Sequence, residues 1–254
     1  MINHVDNQFI YVNIVLILMV GGRTMAVPVM EERMREYHKI ETVFERSKDG
    51  DKRLVVGKFR SQSVEYLATA KWIFTEKVDG TNIRVHWDGH KITFGGRTDN
   101  AQIPVRLLNR LQEIFLNNET EELFEQEFGE KEVILFGEGY GDKIQEVGKK
   151  YLADSNDFIL FDALINNTYL ARNNLEKLAQ TFNLKIVPIV VTGTINDGIE
   201  YVKSAPQSLL GSCRMEGIIG TPEVPLYDKK GRIIVKIKYC DFGGKNENAT
   251  GNFG

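Results

Sequence analysis

Apolar residues recur along this chain with two periods, and the periods divide it into strands and helices. Trp72 to Lys77 is an apolar-edged run that enters a tight turn at Val78-Asp79-Gly80, and it predicts a strand. Thr81 to Trp87 and Lys91 to Phe94 predict two strands joined by Asp88-Gly89, a dipeptide that tolerates the positive φ a hairpin turn demands. Pro104 to Phe128 is helical in period, with Leu107, Leu108, Leu111, Ile114 and Phe115 on one side. Further strands are predicted over Glu132–Phe136, Phe158–Ile165, Lys185–Val191, Met215–Ile219 and Ile233–Tyr239, and helices over Leu175–Phe182 and Ile195–Lys203. Glu31 to Tyr37 is charged and helix-compatible, and Lys48 to Lys52 predicts a turn between Val43-Phe44 and Leu54-Val55-Val56.

Strands and helices mix without regular βαβ alternation, which predicts an α+β fold with a largely antiparallel sheet. No internal repeat appears, and residues 25–242 read as one domain. The tail from Gly243 is rich in glycine and asparagine, and disorder is expected over 243–254. Phe9 to Val20 is apolar but short for a bilayer span, which wants about 20 residues. No basic residue precedes it, as a signal peptide requires, so no membrane association is expected. Gly21-Gly22 shortly before Met25 can be encoded by a purine-rich ribosome-binding sequence. Residues 1–24 are therefore expected to be a non-native or disordered extension, a reading that the intact mass of natively expressed protein tests.

Composition narrows the class without choosing within it. With 254 residues, a hydrophobic content of 42% and a charged content of 26% are ordinary for a soluble globular protein. Its net charge of −3 argues against a broadly basic nucleic-acid coat and leaves room for a local basic groove. Two cysteines, Cys213 and Cys240, make no disulfide framework, and a cytoplasmic location is expected, or the host cytoplasm for a virally encoded protein.

The chemistry centres on Lys77. A lysine, one spacer and Asp-Gly is an arrangement in which a lysine amine attacks the α-phosphate of a nucleotide. Such an amine must lose its proton, which burial and cationic neighbours favour. Lys236 and Lys238 lie two apart in a predicted strand and so share a face, where two ammonium groups bind phosphate. Glu138 in Phe136-Gly137-Glu138-Gly139 and Glu216 in Met215-Glu216-Gly217 each abut glycine at a strand end, where a ligand can approach the backbone closely. Phe161 offers an aromatic platform beside Asp162, and Arg97 in Gly95-Gly96-Arg97 suits a phosphate contact. Taken singly, each has an ordinary reading: solvated strand lysines, exposed acids at turns, a core aromatic, a surface arginine. No GxxxxGK[ST] loop occurs, which disfavours a P-loop NTPase. His86 and His90 flank a hairpin turn with no cysteine pair nearby, a poor zinc site.

As an ordered set, Lys77, Arg97, Glu138, Phe161-Asp162, Glu216 and Lys236/Lys238 follow the covalent nucleotidyltransferase superfamily. Over roughly Tyr37 to Phe242 the chain resembles the RNA ligase 2-like ATP-dependent RNA ligases. Lys77-Val78-Asp79-Gly80 is similar to their nucleophile motif. Phe136-Gly137-Glu138-Gly139, Phe161-Asp162, Glu216-Gly217-Ile218-Ile219 and Val235-Lys236-Ile237-Lys238 are similar to the later ones. Gln145, seven residues past Glu138, matches a polar position.

The resemblance implies a nucleotidyltransferase domain that uses ATP and Mg²⁺ or Mn²⁺. Lys77 would become AMP-lysine, with Glu76, Asp79, Gly80, Asn82, Arg97, Glu138, Gln145, Phe161 and Asp162 around the nucleotide. Glu138 would contact the ribose, Phe161 would stack on adenine, and Lys236 and Lys238 would hold the α-phosphate. Glu216, with Asn82, would serve the metal shell. The partners implied are RNA 5′-phosphate and 3′-OH ends, in a nicked duplex or a broken structured RNA, with no protein partner evident. Only a short tail follows Tyr239, where DNA ligases and capping enzymes carry an OB-fold. A DNA ligase, a capping guanylyltransferase and a non-catalytic RNA-end-binding protein remain the alternatives.

Overall fold

The computed structural model describes residues 15–20, 23–28, 34–48 and 52–242. Two compact units emerge, Met1–Met34 and Arg35–Gly254. In the first, Val15–Val20 pairs antiparallel with Arg23–Pro28. The centre of the expected turn at Lys48–Lys52 and the tail from Gly243 lie outside the described residues.

The second unit is built on two five-stranded sheets. One runs in the order Thr168–Tyr169, Asn156–Ile165, Val133–Gly141, Thr81–Trp87, Ile92–Gly95, every neighbour antiparallel. The other runs Ile189–Gly193, Trp72–Lys77, Gly217–Pro222, Val235–Lys238, Glu41–Thr42, with only the last pair parallel. This is the α+β, largely antiparallel architecture that the patterning predicts. The Trp72–Lys77 strand of one sheet leads through Val78-Asp79-Gly80 into the Thr81–Trp87 strand of the other, so Lys77 stands where the sheets meet.

Each sheet buries one face under helices. Leu107, Leu111 and Phe115, at four-residue spacing, place one stripe of the Val105–Phe115 helix against Phe158 and its neighbours, with Phe115 and Phe158 ring centroids 5.5 Å apart. Each such buried side chain stabilises by roughly 1.5–3 kcal/mol. The Ile195–Lys203 helix covers the second sheet with Ile195, Ile199 and Val202 against Trp72 and Phe74, and Thr194 with Asp197 closes a capping box at its start. Gly198 lets the helix approach, since a Cβ there would lie 2.7 Å from the Phe74 ring.

Several elements depart from their predicted limits. Pro104–Phe128 forms two helices, Val105–Phe115 and Asn118–Phe128. Asn117 divides them: its side chain accepts from the Thr120 amide at 3.0 Å and donates to the Glu113 and Ile114 carbonyls at 3.1 and 3.0 Å, capping both ends. The expected strand at Lys185–Val191 is displaced to Ile189–Gly193, because Pro188 cannot donate to a ladder. Its carbonyl instead accepts from the Glu76 amide at 3.0 Å, and Ile186 makes an isolated bridge to Leu160. Residues 34–40 have no regular structure, in contrast to the helix-compatible reading of Glu31–Tyr37.

The strand expected to stop at Phe136 continues to Gly141. Gly137 permits this: a Cβ there would lie 2.2 Å from the Phe158 ring and 2.6 Å from the Ile159 carbonyl. Gly137→Ala is therefore expected to cost about 1–3 kcal/mol through overpacking, read as a lowered Tm in a thermal melt.

Candidate active site

Register brings the candidate residues together. Gly217 pairs with Lys77 on one side and with Lys238 on the other, so Glu216 enters its strand between the two lysines. Its carboxylate takes both: Lys77 Nζ lies 2.5 Å from Oε2 and Lys238 Nζ 2.7 Å from Oε1. Gly217 itself can be nothing larger, because a Cβ would meet the Ile237 carbonyl at 2.2 Å. Burial pushes the Glu216 carboxyl up, but Lys77 and Lys238 outweigh it and hold it below its ordinary value. For Lys238, burial opposes the charge and Glu216 overrides it, so its pKa is raised. Among the described residues Lys236 makes no ion pair of this kind. Burial, with Lys238 and Lys77 nearby, lowers its pKa.

Lys77 and Lys236 border a cavity of about 460 Å³, lined also by Gly80, Asn82, Arg97, Glu138, Gln145 and Phe161, among others. Asp79, Glu216 and Lys238 are not on its wall; the last two reach it through Lys77. Strand alternation explains the side of approach. Ile73, Thr75 and Lys77 line the cavity, while Trp72 and Phe74 are buried on the opposite face; Glu76 also borders the cavity, but it is almost wholly buried. The Glu76 carboxylate is accordingly committed elsewhere, accepting from Ser208 Oγ at 2.5 Å and the Leu209 amide at 3.0 Å.

The Val78-Asp79-Gly80 turn is braced from three directions. The Asp79 amide donates to Tyr151 Oη at 3.3 Å, and Gln145 Nε2 donates to the Gly80 carbonyl at 2.9 Å. Gly80 also passes so near the Val133–Gly141 strand that a Cβ would lie 2.3 Å from the Gly139 carbonyl. Burial, then the Glu216 charge, raises the Asp79 pKa.

Asn82 sits opposite Glu138 in the ladder. Its Oδ1 is buried without a hydrogen-bond partner, a state that calls for a ligand or water. Burial, opposed by Lys77 and reinforced by Glu216 and Asp79, pushes the Glu138 carboxyl up to about 8. The folded protein therefore binds a proton there that the unfolded chain releases near the ordinary 4.5. Stability is expected to fall as pH rises from about 4.5 to about 8 and then to level off. Glu138→Gln is expected to flatten that slope in a series of melts across this range; an unchanged slope would refute the burial argument.

Phe161 is the extra residue of a bulge between Leu160 and Asp162, which turns its ring into the cavity. The Asp162 carboxylate accepts from Tyr37 Oη at 2.8 Å and the Ala163 amide at 3.0 Å, and it is ion-paired with Arg232. It thus lines the cavity's end and braces it through Tyr37 and Arg232.

Sequence reasoning missed Tyr37, His38, Arg84 and Arg232. Arg84 is fully buried in the strand after Lys77, donating to the Gly96 carbonyl at 2.6 Å and to Asp99 at 2.9 Å. It fixes the glycine turn that carries Arg97 to the cavity. The alternation gives no signal for it, because Arg84 falls with Asn82 and His86 on the polar phase of the strand. Arg232 follows Gly231, whose φ is +114°, in a short hairpin that gives no chemical cue. Tyr37 and His38 lie in an irregular segment that patterning cannot place.

Two antiparallel sheets meeting at a lysine beside a nucleotide-sized cavity define a nucleotidyltransferase-type domain. The RNA ligase family model matches residues 70–238, and the chain belongs to that family. Among solved structures it is similar to Naegleria gruberi RNA ligase. The match to an apo mutant has 20% identity, a TM-score of 0.55, and covers 70% of this chain and 52% of that one. A mutant with ATP and Mn gives 21%, 0.54, 71% and 52%, and the protein with PPi gives 22%, 0.54, 71% and 52%. These identities show a shared fold, and the chain spans about half the length of those structures. No curated protein matches it.

Proposed function

We propose that the chain is an ATP-dependent RNA ligase working through lysyl-AMP, joining a 3′-hydroxyl to a 5′-phosphate. The observation that carries this is Lys77 Nζ on the cavity wall, held by Glu216 and flanked by Lys236 and Lys238. Membership of the RNA ligase family supports the substrate class, and the ATP, Mn and PPi of the similar structures support the nucleotide.

In the first step Lys77 Nζ, having lost a proton, attacks the α-phosphorus of ATP. The new P–N bond forms as the bond to the bridging oxygen breaks, and pyrophosphate leaves. In the second, a 5′-phosphate oxygen of RNA takes the AMP from Lys77, giving an RNA-adenylate. In the third, the 3′-hydroxyl attacks the activated phosphorus, loses its proton and releases AMP. Each step moves negative charge across the phosphate, and Lys236, with Lys238 behind it, stabilises that charge. Phe161 is the face for adenine, Glu138 the ribose contact, and Arg97 a phosphate or ribose contact.

Among the described residues no cluster of three or more His, Cys, Asp or Glu forms a protein cage for a metal. The orphaned Asn82 Oδ1 and the Glu216 carboxylate are hard oxygen donors that fit Mg²⁺ or Mn²⁺ held mainly through phosphate and water. When bound, the ion neutralises charge on the phosphates.

Incubation with ATP labelled at the α-phosphate and Mg²⁺, after removal of any bound AMP, is expected to label the protein covalently. Chasing with nicked duplex, single-stranded or structured RNA then identifies the ends it joins, and DNA nicks or GTP separate the ligase and capping alternatives. Retained RNA binding without any label would leave an end-binding protein instead.

A further inference from the structure

Among the described residues, two side chains on the cavity wall carry a buried polar atom without a hydrogen-bond partner. One is Asn82, already assigned above. The other is His38, through Nε2. Its imidazole stacks on Tyr37, with centroids 4.6 Å apart and planes inclined by 30°, and meets Tyr169 edge-on at 5.9 Å. Tyr37 in turn contacts Phe161 at 5.1 Å. His38 thus belongs to the aromatic end of the cavity, one ring removed from the base platform.

The neighbouring polar groups are spoken for. Tyr37 Oη and Arg232 both bind Asp162, whereas His38 Nε2 has no hydrogen-bond partner among the described residues. Burial, with the Arg232 charge beside it, lowers the His38 pKa, so the ring is neutral at pH 7. A neutral imidazole has one N–H donor and one bare acceptor nitrogen. Acceptance at Nε2 uses the tautomer that carries its proton on Nδ1.

We propose that His38 Nε2 accepts a hydrogen bond from the 6-amino group of adenine stacked on Phe161, and so selects 6-amino over 6-oxo purine nucleotides. This rests on the reading of the cavity as an ATP site. A 6-oxo purine presents a carbonyl at the same edge, lone pair against lone pair. A buried acceptor left facing another acceptor is worth about tenfold or more in discrimination.

The test measures binding by calorimetry for ATP, ITP and purine riboside triphosphate, which carries only hydrogen at position 6, and covalent labelling alongside. The wild-type protein is expected to bind ATP about tenfold or more tightly than ITP. His38→Phe keeps an aromatic ring for Tyr37 but has no acceptor, and is expected to bring the ATP/ITP ratio near one without changing affinity for purine riboside triphosphate. His38→Gln supplies a terminal carbonyl and is expected to keep part of the preference. An unchanged ratio in His38→Phe, or equal loss of all three nucleotides, overturns the assignment. If labelling persists in that case, the ligase reading stands alone. Selective binding with no covalent label upholds the His38 assignment and removes the ligase reading. Failure to bind any of the three overturns both.

Discussion

Lys77→Ala is expected to abolish covalent labelling by ATP, leaving no detectable adduct, while the protein still folds and still binds the nucleotide. The other lysines of the cavity wall, Lys39 and Lys236, belong to different segments, and Lys238 is behind the wall and paired with Glu216, so none is expected to replace it. The side chain of Lys77 is about a quarter exposed, so its removal leaves no cavity in the core, and the melting temperature is expected to fall only through loss of the pair with Glu216. Lys77→Arg is expected to fail equally, because a guanidinium does not give up its proton and cannot act as the nucleophile. A sharper consequence follows from the order of bonds. The third step needs no lysine nucleophile, so Lys77→Ala given RNA already adenylated at its 5′ end is expected to seal it. Loss of labelling together with loss of that sealing would mean a collapsed site rather than a missing nucleophile. Near-normal labelling would move the nucleophile elsewhere.

The parts of this site that sequence made legible are those built from local signals. Alternation and a turn dipeptide suffice for Trp72–Lys77 and for the hairpin at Asp88-Gly89, and both form as expected. The glycines around Glu138 and Glu216 were readable as points of close approach. Their actual neighbours, the Phe158 ring and the Ile237 carbonyl, depend on pairing across the sheet. What escaped has a common cause. Asn117 cuts an amphipathic stretch whose apolar stripe continues on both sides, and a capping side chain leaves no mark on that stripe. Asp162 adjoins an aromatic of the cavity, yet a bulge separates the two, sending Phe161 to the ligand side and the carboxylate to Arg232, 70 residues away. Tyr37 and His38 reach the site from an irregular segment, where neither period applies. Adjacency in sequence thus located the strands that carry the chemistry, while the bracing between strands required the register.

Glu216→Gln is the second large effect expected: a fall in the rate of adenylation of about 10²-fold or more, as for loss of a preorganised electrostatic stabiliser. The amide keeps the shape and can still accept from a lysine, so the change is chiefly one of charge. In the wild-type protein the carboxylate faces two ammonium groups on either side of Gly217 and keeps them in place before nucleotide arrives. Without it Lys77 and Lys238 confront one another across a neutral group. A stability effect accompanies this. Because the Glu216 pKa is depressed in the fold, its contribution is present above the ordinary 4.5 and is lost as pH falls through the folded value. Glu216→Gln is therefore expected to melt lower at neutral pH and to converge with the wild type in acid. Metal titration separates the two roles a carboxylate can have here. If Glu216 helps to hold the divalent ion, half-saturation moves to higher Mg²⁺ or Mn²⁺ and part of the rate returns at high metal. If it serves only to position the lysines, half-saturation stays where it was and the deficit persists at every concentration. A Glu216→Gln protein that forms adduct at the wild-type rate would sink both roles and leave the short contact to Lys77 as packing alone.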